Sequence, residues 1–140
     1  MKILLYSLLC ILAISLTSCE PKTQFNPEKP SVKTAQSDYI NTSIDHLDQL
    51  IETKPTLKLV DVRTPEEVAA GVIGQPLKIN FHDDNFQTKI VRLDKDIPYL
   101  VYCKSGGRSA KAAKLMKKAG IKYVYNLQGG YTAYEKSMTK

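Results

Sequence analysis

The sequence has no tryptophan, only two histidines and only three cysteines among its 140 residues. Three cysteines are too few for the disulfide-dense scaffold of a small secreted protein, and two histidines with them cannot supply repeated four-ligand zinc sites. Apolar residues make up 43% and charged residues 24% of the chain, as in ordinary folded domains. The composition therefore predicts one packed domain with room for a tail, and it excludes a multidomain protein.

The longest mostly apolar run, residues 3–16, is shorter than the roughly 20 residues that a membrane-spanning helix needs. It follows Lys2 and is followed directly by Leu16-Thr17-Ser18-Cys19. This layout is typical of a signal peptide. The last four residues resemble the lipobox of bacterial lipoproteins, in which the cysteine receives a diacylglycerol and the chain is cut just before it. We expect residues 1–18 to be a lipoprotein signal peptide and Cys19 to be lipidated; a plain secretory signal or a short buried helix is the alternative.

Residues 19–37 contain three prolines and few aliphatic side chains, too little apolar surface to offset the entropy cost of ordering the chain. They are predicted to be a lipidated flexible tether, so that residues 38–140 form the folded domain. Glu20 stands where retention in the inner membrane of enteric bacteria usually shows aspartate. We therefore expect an exported lipoprotein, anchored by its lipid on the periplasmic side or at the cell surface, with the outer membrane favoured.

The chain carries a formal net charge of +6, and loss of Lys2 with the signal peptide leaves +5. An excess of this size attracts anions but also serves solubility. No basic stripe with interleaved aromatic residues is present, so we do not expect nucleic acid as a partner. We expect a monomer whose partners are the membrane and a small anionic substrate.

Five short apolar segments with β-branched or aromatic residues predict strands, at 39–41, 57–62, 77–80, 98–103 and 123–127. Helical signals lie between them. Apolar side chains recur at helical spacing after Ser43, residues 64–67 form a capping box with proline at the first helical position, and residues 109–119 are rich in helix formers before Gly120. This alternation predicts an α/β fold with a mainly parallel five-stranded sheet flanked by helices on both faces.

A glycine-bearing loop connects the predicted strand at 98–103 to the predicted helix at 109–119. It has the sequence CKSGGRS, from Cys103 to Ser109. Gly106 and Gly107 let the backbone curl so that successive N–H groups face the cysteine sulfur. The helix N-terminus and the cations Lys104 and Arg108 also favour thiolate over thiol. The loop therefore predicts a reactive thiolate at Cys103.

The length of the loop separates two kinds of chemistry. Four residues lie between Cys103 and Arg108, whereas cysteine-dependent phosphatases have five at this place. A smaller ring of N–H groups suits a single terminal sulfur better than the three equatorial oxygens of a phosphoryl group. Sulfur transfer is therefore favoured over a phosphatase or an arsenate reductase.

Three segments resemble the rhodanese family of sulfurtransferases, and the resemblance extends over about residues 38–140. Residues 59–67 (LVDVRTPEE) resemble the family's strand-to-helix signature, residues 103–109 its active loop, and residues 126–130 (NLQGG) the segment before its final helix. The three segments occur in the family's order. The resemblance implies a rhodanese-like fold.

The resemblance also implies a ping-pong sulfurtransferase. The Cys103 thiolate would take the outer sulfur of thiosulfate or another sulfane donor, hold it as a persulfide, and pass it to a thiol or to cyanide. No metal or organic cofactor is expected. The residues implied to bind the substrate are Lys104, Ser105, Gly106, Gly107, Arg108 and Ser109.

Some positions depart from the family pattern, and residues 75–77 (QPL) replace a common glycine-alanine step. Val72 stands where many members have histidine, and Tyr134 where the final helix often has tryptophan; both bear on substrate preference and packing more than on sulfur chemistry. Asp61 and Arg63 are interpreted as a structural ion pair rather than an acid–base pair. His46 and His82 are expected to be solvated rather than metal ligands. A non-catalytic binding module of the same fold, for anions or a protein partner, is the alternative function.

Overall fold

The computed structural model of the chain describes residues 39–139. The predicted signal peptide (1–18), the lipidation site Cys19 and the predicted tether (19–37) lie outside the described residues. No helix within 39–139 combines the length and the apolar character needed to cross a bilayer. In chain order the elements are β1 (Ile40–Thr42), a 3-10 turn (Ile44–His46), α1 (Leu47–Thr53), β2 (Lys58–Asp61), α2 (Pro65–Ala69), β3 (Leu77–Lys78), α3 (Phe86–Val91), β4 (Tyr99–Tyr102), α4 (Gly107–Lys118), β5 (Val124–Leu127) and α5 (Gly130–Ser137).

The five strands form one sheet in the order β1-β5-β4-β2-β3, and every neighbouring pair is parallel. All five strands were predicted from the sequence, so the α/β class and the five-stranded parallel sheet are confirmed. The register places Leu100 of β4 between Leu59 of β2 and Tyr125 of β5. Because the strands are parallel, their carboxyl ends lie along one edge of the sheet, and Cys103 follows β4 directly at that edge.

Helices cover both faces of the sheet, as predicted. Tyr99 and Val101 of β4 belong to a core that includes residues of α3 and α4, such as Met116. The alternate residues Leu100 and Tyr102 belong to a second core with residues of α1 and α5. All four residues of β4 are therefore buried, which is typical of a central parallel strand.

The sequence predicted two helix starts, one at residues 64–67 and one at residues 43–44. Both are present, but only the first has the side-chain capping hydrogen bonds. The N–H of Glu67 donates to Oγ1 of Thr64 at 3.4 Å, and the N–H of Thr64 donates to Oε2 of Glu67 at 3.0 Å, so the capping box before α2 is confirmed. Ser43 precedes the 3-10 turn, but its hydroxyl bonds Nδ1 of His46 at 3.0 Å instead of a backbone N–H.

Helix α3 was not predicted. It has six residues and no side-chain cap, and only Phe86 and Ile90 point into the core. A helix this short is marginal on local propensity alone and depends on tertiary packing. Its two buried side chains join the core on the α4 side of the sheet, and this contact accounts for its stability.

Candidate active site

The predicted loop brings backbone donors to the sulfur of Cys103. The N–H of Gly106 lies 3.2 Å from Sγ, and the hydroxyl oxygen of Ser109 lies 3.5 Å from it. Gly106 has a left-handed backbone with φ of 98°, and a Cβ there would lie 3.2 Å from the backbone nitrogen of Gly129. Glycine is therefore required at this point for the backbone to turn back towards the sulfur.

These contacts change the acidity of the thiol. Burial raises the pKa of Cys103, but the hydroxyl and N–H of Ser109 and the N–H groups of Ser105 and Gly106 outweigh burial, so the pKa lies below its ordinary value. Hydrogen bonds to an anion stabilise it over its protonated form. The loop thus acts on the sulfur as a cradle of donors, which is the arrangement that the sequence predicted.

The loop residues differ in exposure. Lys104, Ser105 and Gly107 are exposed, Gly106 and Arg108 are half-buried, and Ser109 is buried. Cys103 itself is 1% exposed. The structure therefore places Cys103 at the base of the loop, where its side chain also belongs to the core that includes residues of α3 and α4.

Arg108 has a protein partner that the sequence did not predict. Its Nη1 and Nη2 donate to the two carboxylate oxygens of Glu67 at 2.7 and 2.6 Å, so the pair is bidentate. The Arg108 guanidinium lowers the pKa of Glu67 to about 2, and Glu67 raises the pKa of Arg108 in return. The same carboxylate also caps α2. Arg108 therefore joins the Cys103 loop to the α2 start.

Ser109 also continues into a chain of polar side chains. Its hydroxyl oxygen lies 2.6 Å from Oδ1 of Asn126, in β5. The Nδ2 of Asn126 donates to Oδ1 of Asn41 at 2.8 Å, in the edge strand β1. Asn126 is 4% exposed, whereas Asn41 is exposed. The sulfur is thus connected to the sheet edge by three side chains.

The start of α5 supports the loop from behind. The N–H of Tyr131 donates to the carbonyl of Cys103 at 2.8 Å, and the N–H of Thr132 donates to the carbonyl of Lys104 at 3.0 Å. A Cβ on Gly130 would overlap the carbonyl of Cys103. The glycine pair of the 126–130 segment therefore allows α5 to approach the backbone of the nucleophile.

Asp61 and Arg63 form the buried ion pair that the sequence predicted. Nη2 of Arg63 lies 2.7 Å from Oδ2 of Asp61, and the two side chains are 3% and 0% exposed. Arg63 also donates to the carbonyl of Gly71 at 2.6 Å, and its guanidinium carbon lies 4.0 Å from the centre of the Tyr131 ring. The pair holds the α2 segment against α5, which is a structural role.

Val72 and Tyr134, which depart from the family pattern, lie in different surroundings. Val72 is half-buried, and the N–H of the following Ile73 donates to the hydroxyl of Tyr102 at 3.1 Å. Tyr134 packs on the core that contains residues of α1 and α5, with its ring centre 6.0 Å from that of Tyr131. The tyrosine is therefore accommodated by core contacts.

His46 and His82 are exposed. Within residues 39–139, no three histidine, cysteine, aspartate or glutamate side chains are grouped so that they could hold a metal ion. The polar groups that converge on the site are those of the Cys103 loop, Glu67 and Asn126.

Some of these residues could not be assigned from the sequence. Glu67 was read only as part of a capping box, and its partner Arg108 lies 41 positions away. Asn126 belonged to the third family-like segment without a role. A glutamate at the third helical position and a polar residue in a buried strand are the signals that point to them.

The chain thus has an α/β fold in which a parallel sheet presents a cysteine in a strand-to-helix loop, cradled by hydrogen-bond donors. Residues 43–137 match the model of the family described as the rhodanese-like domain. The chain belongs to the rhodanese-like family.

Individual relatives agree with this assignment. The chain is 42% identical over 89 residues, which are 64% of this chain and 84% of the relative, to YtwF of Bacillus subtilis, whose name assigns it provisionally to the sulfurtransferases. It is 30% identical over 101 residues to the thiosulfate sulfurtransferase GlpE of Shewanella oneidensis, covering 72% of this chain and 97% of that one. The crystal structure of a rhodanese-like domain protein from Staphylococcus aureus matches with a TM-score of 0.60 and 33% identity, over 68% of this chain and 90% of that one.

Proposed function

We propose that this protein is a rhodanese-type sulfurtransferase that moves a sulfane sulfur from thiosulfate or a similar donor to a thiol or cyanide. The observation that carries the proposal is the cradle of Cys103, in which the hydroxyl oxygen of Ser109 and the N–H of Gly106 lie 3.5 and 3.2 Å from Sγ and help to lower the pKa of the thiol. A thiolate is the nucleophilic form of cysteine. Relatives named as sulfurtransferases support the same chemistry.

The reaction divides into two displacements at sulfur. The Cys103 thiolate attacks the outer sulfur of thiosulfate, a new S–S bond forms, and the old S–S bond breaks with its electron pair leaving on sulfite. The enzyme then holds a persulfide anion. An acceptor thiolate attacks the outer sulfur, takes it as its own persulfide and restores the Cys103 thiolate; cyanide would give thiocyanate. The sulfur changes partner twice without an external oxidant or reductant.

The loop stabilises the charge in each step. The persulfide anion would form on Cys103, directly after β4, and the N–H groups that contact Sγ would stabilise its negative charge. Arg108 and the exposed Lys104 add positive charge near the anionic donor and the departing sulfite. Because Glu67 already binds Arg108 in bidentate geometry, Arg108 acts as a fixed cation of the site rather than as a mobile clamp.

A donor and acceptor panel tests the proposal. Residues 20–140 are purified, incubated with thiosulfate and other sulfane donors, and assayed with thiols and cyanide. We expect one sulfur atom to be added to the peptide that contains Cys103 and to be lost on addition of acceptor. Cys103→Ser should abolish both steps, and Lys111→Ala, on the exposed side of α4, should leave them unchanged. Full transfer by Cys103→Ser would contradict the proposal.

One observation favours the alternative, a binding module without turnover. Cys103 is 1% exposed and the cation Arg108 is already paired. In that case the reaction of Cys103 with iodoacetamide would follow the pH dependence of an ordinary thiol. No donor would load sulfur onto Cys103. Binding of an anion or a protein would not depend on this residue.

The anchoring of the chain is a separate proposal and rests on the sequence alone. We expect export, lipidation of Cys19 and attachment to the outer membrane. Expression with radiolabelled palmitate should label the wild-type chain and leave Cys19→Ala unlabelled, while Cys10→Ala should remain labelled. Fractionation of inner and outer membranes then tests the location. Absence of label from the wild-type chain would contradict this proposal without affecting the sulfur chemistry.

A further inference from the structure

The Ser109 hydroxyl has three neighbours but only one proton. Its oxygen lies 2.6 Å from Oδ1 of Asn126, 3.0 Å from the carbonyl oxygen of Gly106, and 3.5 Å from Sγ of Cys103. A hydroxyl donates one hydrogen bond. The proton that would stabilise the sulfur anion is therefore shared among competing acceptors.

Asn126 is the strongest of these competitors. In the structure its Oδ1 faces Ser109 and its Nδ2 faces Asn41. Two oxygens 2.6 Å apart need a proton between them, and only the hydroxyl can supply it, because an amide oxygen carries none. In this orientation of the Asn126 amide, Asn126 competes with the sulfur for the Ser109 proton, so the hydroxyl lowers the pKa of Cys103 less than it would without that competitor.

Half a turn of the Asn126 amide reverses the chain of hydrogen bonds. Nδ2 then donates to the Ser109 oxygen, and the hydroxyl proton is free to be donated to Sγ. Oδ1 then faces Asn41, whose own amide must turn to donate to it. Asn41 is exposed on the edge strand β1, so water can replace its protein partner. Asn126 and Ser109 are buried and must bond to protein groups.

We infer that Asn126 is a positioning residue for Cys103: the orientation of its amide, biased by Asn41 at the sheet edge, determines whether the Ser109 hydroxyl is donated to the sulfur. The inference deepens the proposed function and rests on it for its consequence in sulfur transfer. The ionisation of Cys103, however, is measurable without any transfer.

The charged groups that face the sulfur are Arg108 of the loop and, behind it, Glu67 of α2. Lys104 is adjacent in the chain and exposed. The variants below leave all three unchanged, so a change in the titration of Cys103 reports on the Ser109–Asn126–Asn41 chain.

Asn41→Ala is the primary test. It removes the oxygen that holds Nδ2 of Asn126 outward, so Nδ2 can turn to Ser109 while water pairs with Oδ1. The rate of iodoacetamide labelling is followed against pH on the Cys103 peptide of the full-length chain. We expect the midpoint to move to lower pH and the labelling below it to speed up by at most about tenfold, as for gain of one hydrogen bond to an anion. Asn41→Asp, whose carboxylate only accepts hydrogen bonds and keeps the orientation seen in the structure, should keep the wild-type profile.

A Ser109→Ala background separates a hydrogen-bond effect from a charge effect. If the loss of Asn41 acts through the hydroxyl, Asn41→Ala makes no further change once the hydroxyl is absent. An equal shift in both backgrounds would overturn the inference, because an effect that does not need the hydroxyl would then explain it. A wild-type profile for Asn41→Ala would overturn it as well.

Asn126→Leu gives a second, independent comparison. It removes the competitor at similar volume, so the inference expects a Cys103 midpoint no higher than that of the wild type, even if thermal stability falls. A merely structural role expects the midpoint to rise together with the loss of stability, and that result would contradict the inference. If the wild-type chain transfers no sulfur but the Asn41→Ala shift is observed, the proposed function alone would be refuted.

Discussion

Arg108 and Glu67 form a bidentate ion pair between the nucleophile loop and the first turn of α2, with N–O distances of 2.6 and 2.7 Å. The two side chains are 23% and 24% exposed. Since Glu67 also receives the N–H of Thr64, one carboxylate fixes both the helix start and the arginine of the loop. The pH dependence of stability should reflect this double role.

Acid should destabilise the domain through Glu67. Arg108 lowers the pKa of Glu67 from 4.5 to about 2, so the folded state keeps this carboxylate charged where the unfolded chain protonates it. The stabilisation is present above pH 4.5 and is lost as the pH falls towards 2. With screening by solvent, we expect about 1 to 2 kcal/mol.

Urea unfolding, followed by circular dichroism at several pH values, measures this contribution. Glu67→Gln should be less stable than the wild type at neutral pH, and the difference should shrink below pH 4.5. Glu135→Gln, at an exposed position of α5, is the control. A difference between Glu67→Gln and the wild type that stays constant with pH would contradict the assignment.

Gly106 should tolerate no side chain, whereas the neighbouring Gly107 should. Gly106 has a φ of 98° and is close to the backbone of Gly129, while a Cβ on Gly107 meets nothing within 4 Å. We expect Gly106→Ala to cost about 1 to 2 kcal/mol and to slow sulfur loading of Cys103 at least about tenfold, because the N–H moves from the sulfur. Gly107→Ala should leave loading unchanged and stability unchanged or slightly raised.

The two alanine variants are compared by urea unfolding and by mass spectrometry after thiosulfate treatment. If both load sulfur like the wild type, the Gly106 N–H is not needed for the chemistry. If both fail equally, the effect belongs to the loop as a whole and not to the left-handed backbone of Gly106.

The sequence was most informative where the residues that determine a local structure are adjacent in the chain. The seven residues 103–109 contain the nucleophile, the glycines and the helix start, so their hydrogen bonds could be predicted from local chemistry. The strands could also be predicted, because their apolar runs are flanked by polar residues. In contrast, α3 depends on the burial of Phe86 and Ile90 by distant residues, which no local pattern reports.

The residues that bind the loop could not be predicted from the sequence for the same reason. Glu67 lies 41 positions from Arg108, and Asn126 lies 17 positions from Ser109. Each pair is brought together by parallel strands whose order along the sheet does not follow the order of the chain. A single sequence therefore points to Cys103 as the candidate nucleophile but not to the residues that hold its neighbours.

The buried pair of Asp61 and Arg63 should matter far more for stability than an exposed pair. Removing the charge of Asp61 leaves a guanidinium that is 3% exposed without its carboxylate. We expect Asp61→Asn to cost about 3 kcal/mol or more in urea unfolding. Asp96→Asn breaks the pair with Lys122, in which the side chains are 73% and 62% exposed, and should cause no measurable change. Equal effects of the two substitutions would contradict a structural role for Arg63.

The titration of Cys103 tests the cradle most directly. The pKa of the Cys103 thiol is lowered in the folded protein. The titration midpoint therefore lies at lower pH than in an unfolded chain, where it is near 8.5. We expect the labelling of the Cys103 peptide by iodoacetamide to show a midpoint below that of the same peptide in urea. Restricted access at 1% exposure slows labelling at every pH, whereas the midpoint reports the pKa of the thiol, so access and pKa are separable. A native midpoint at or above the value in urea would mean that burial outweighs the hydrogen bonds of Ser105, Gly106 and Ser109, and Cys103 would then be a protonated core residue at neutral pH.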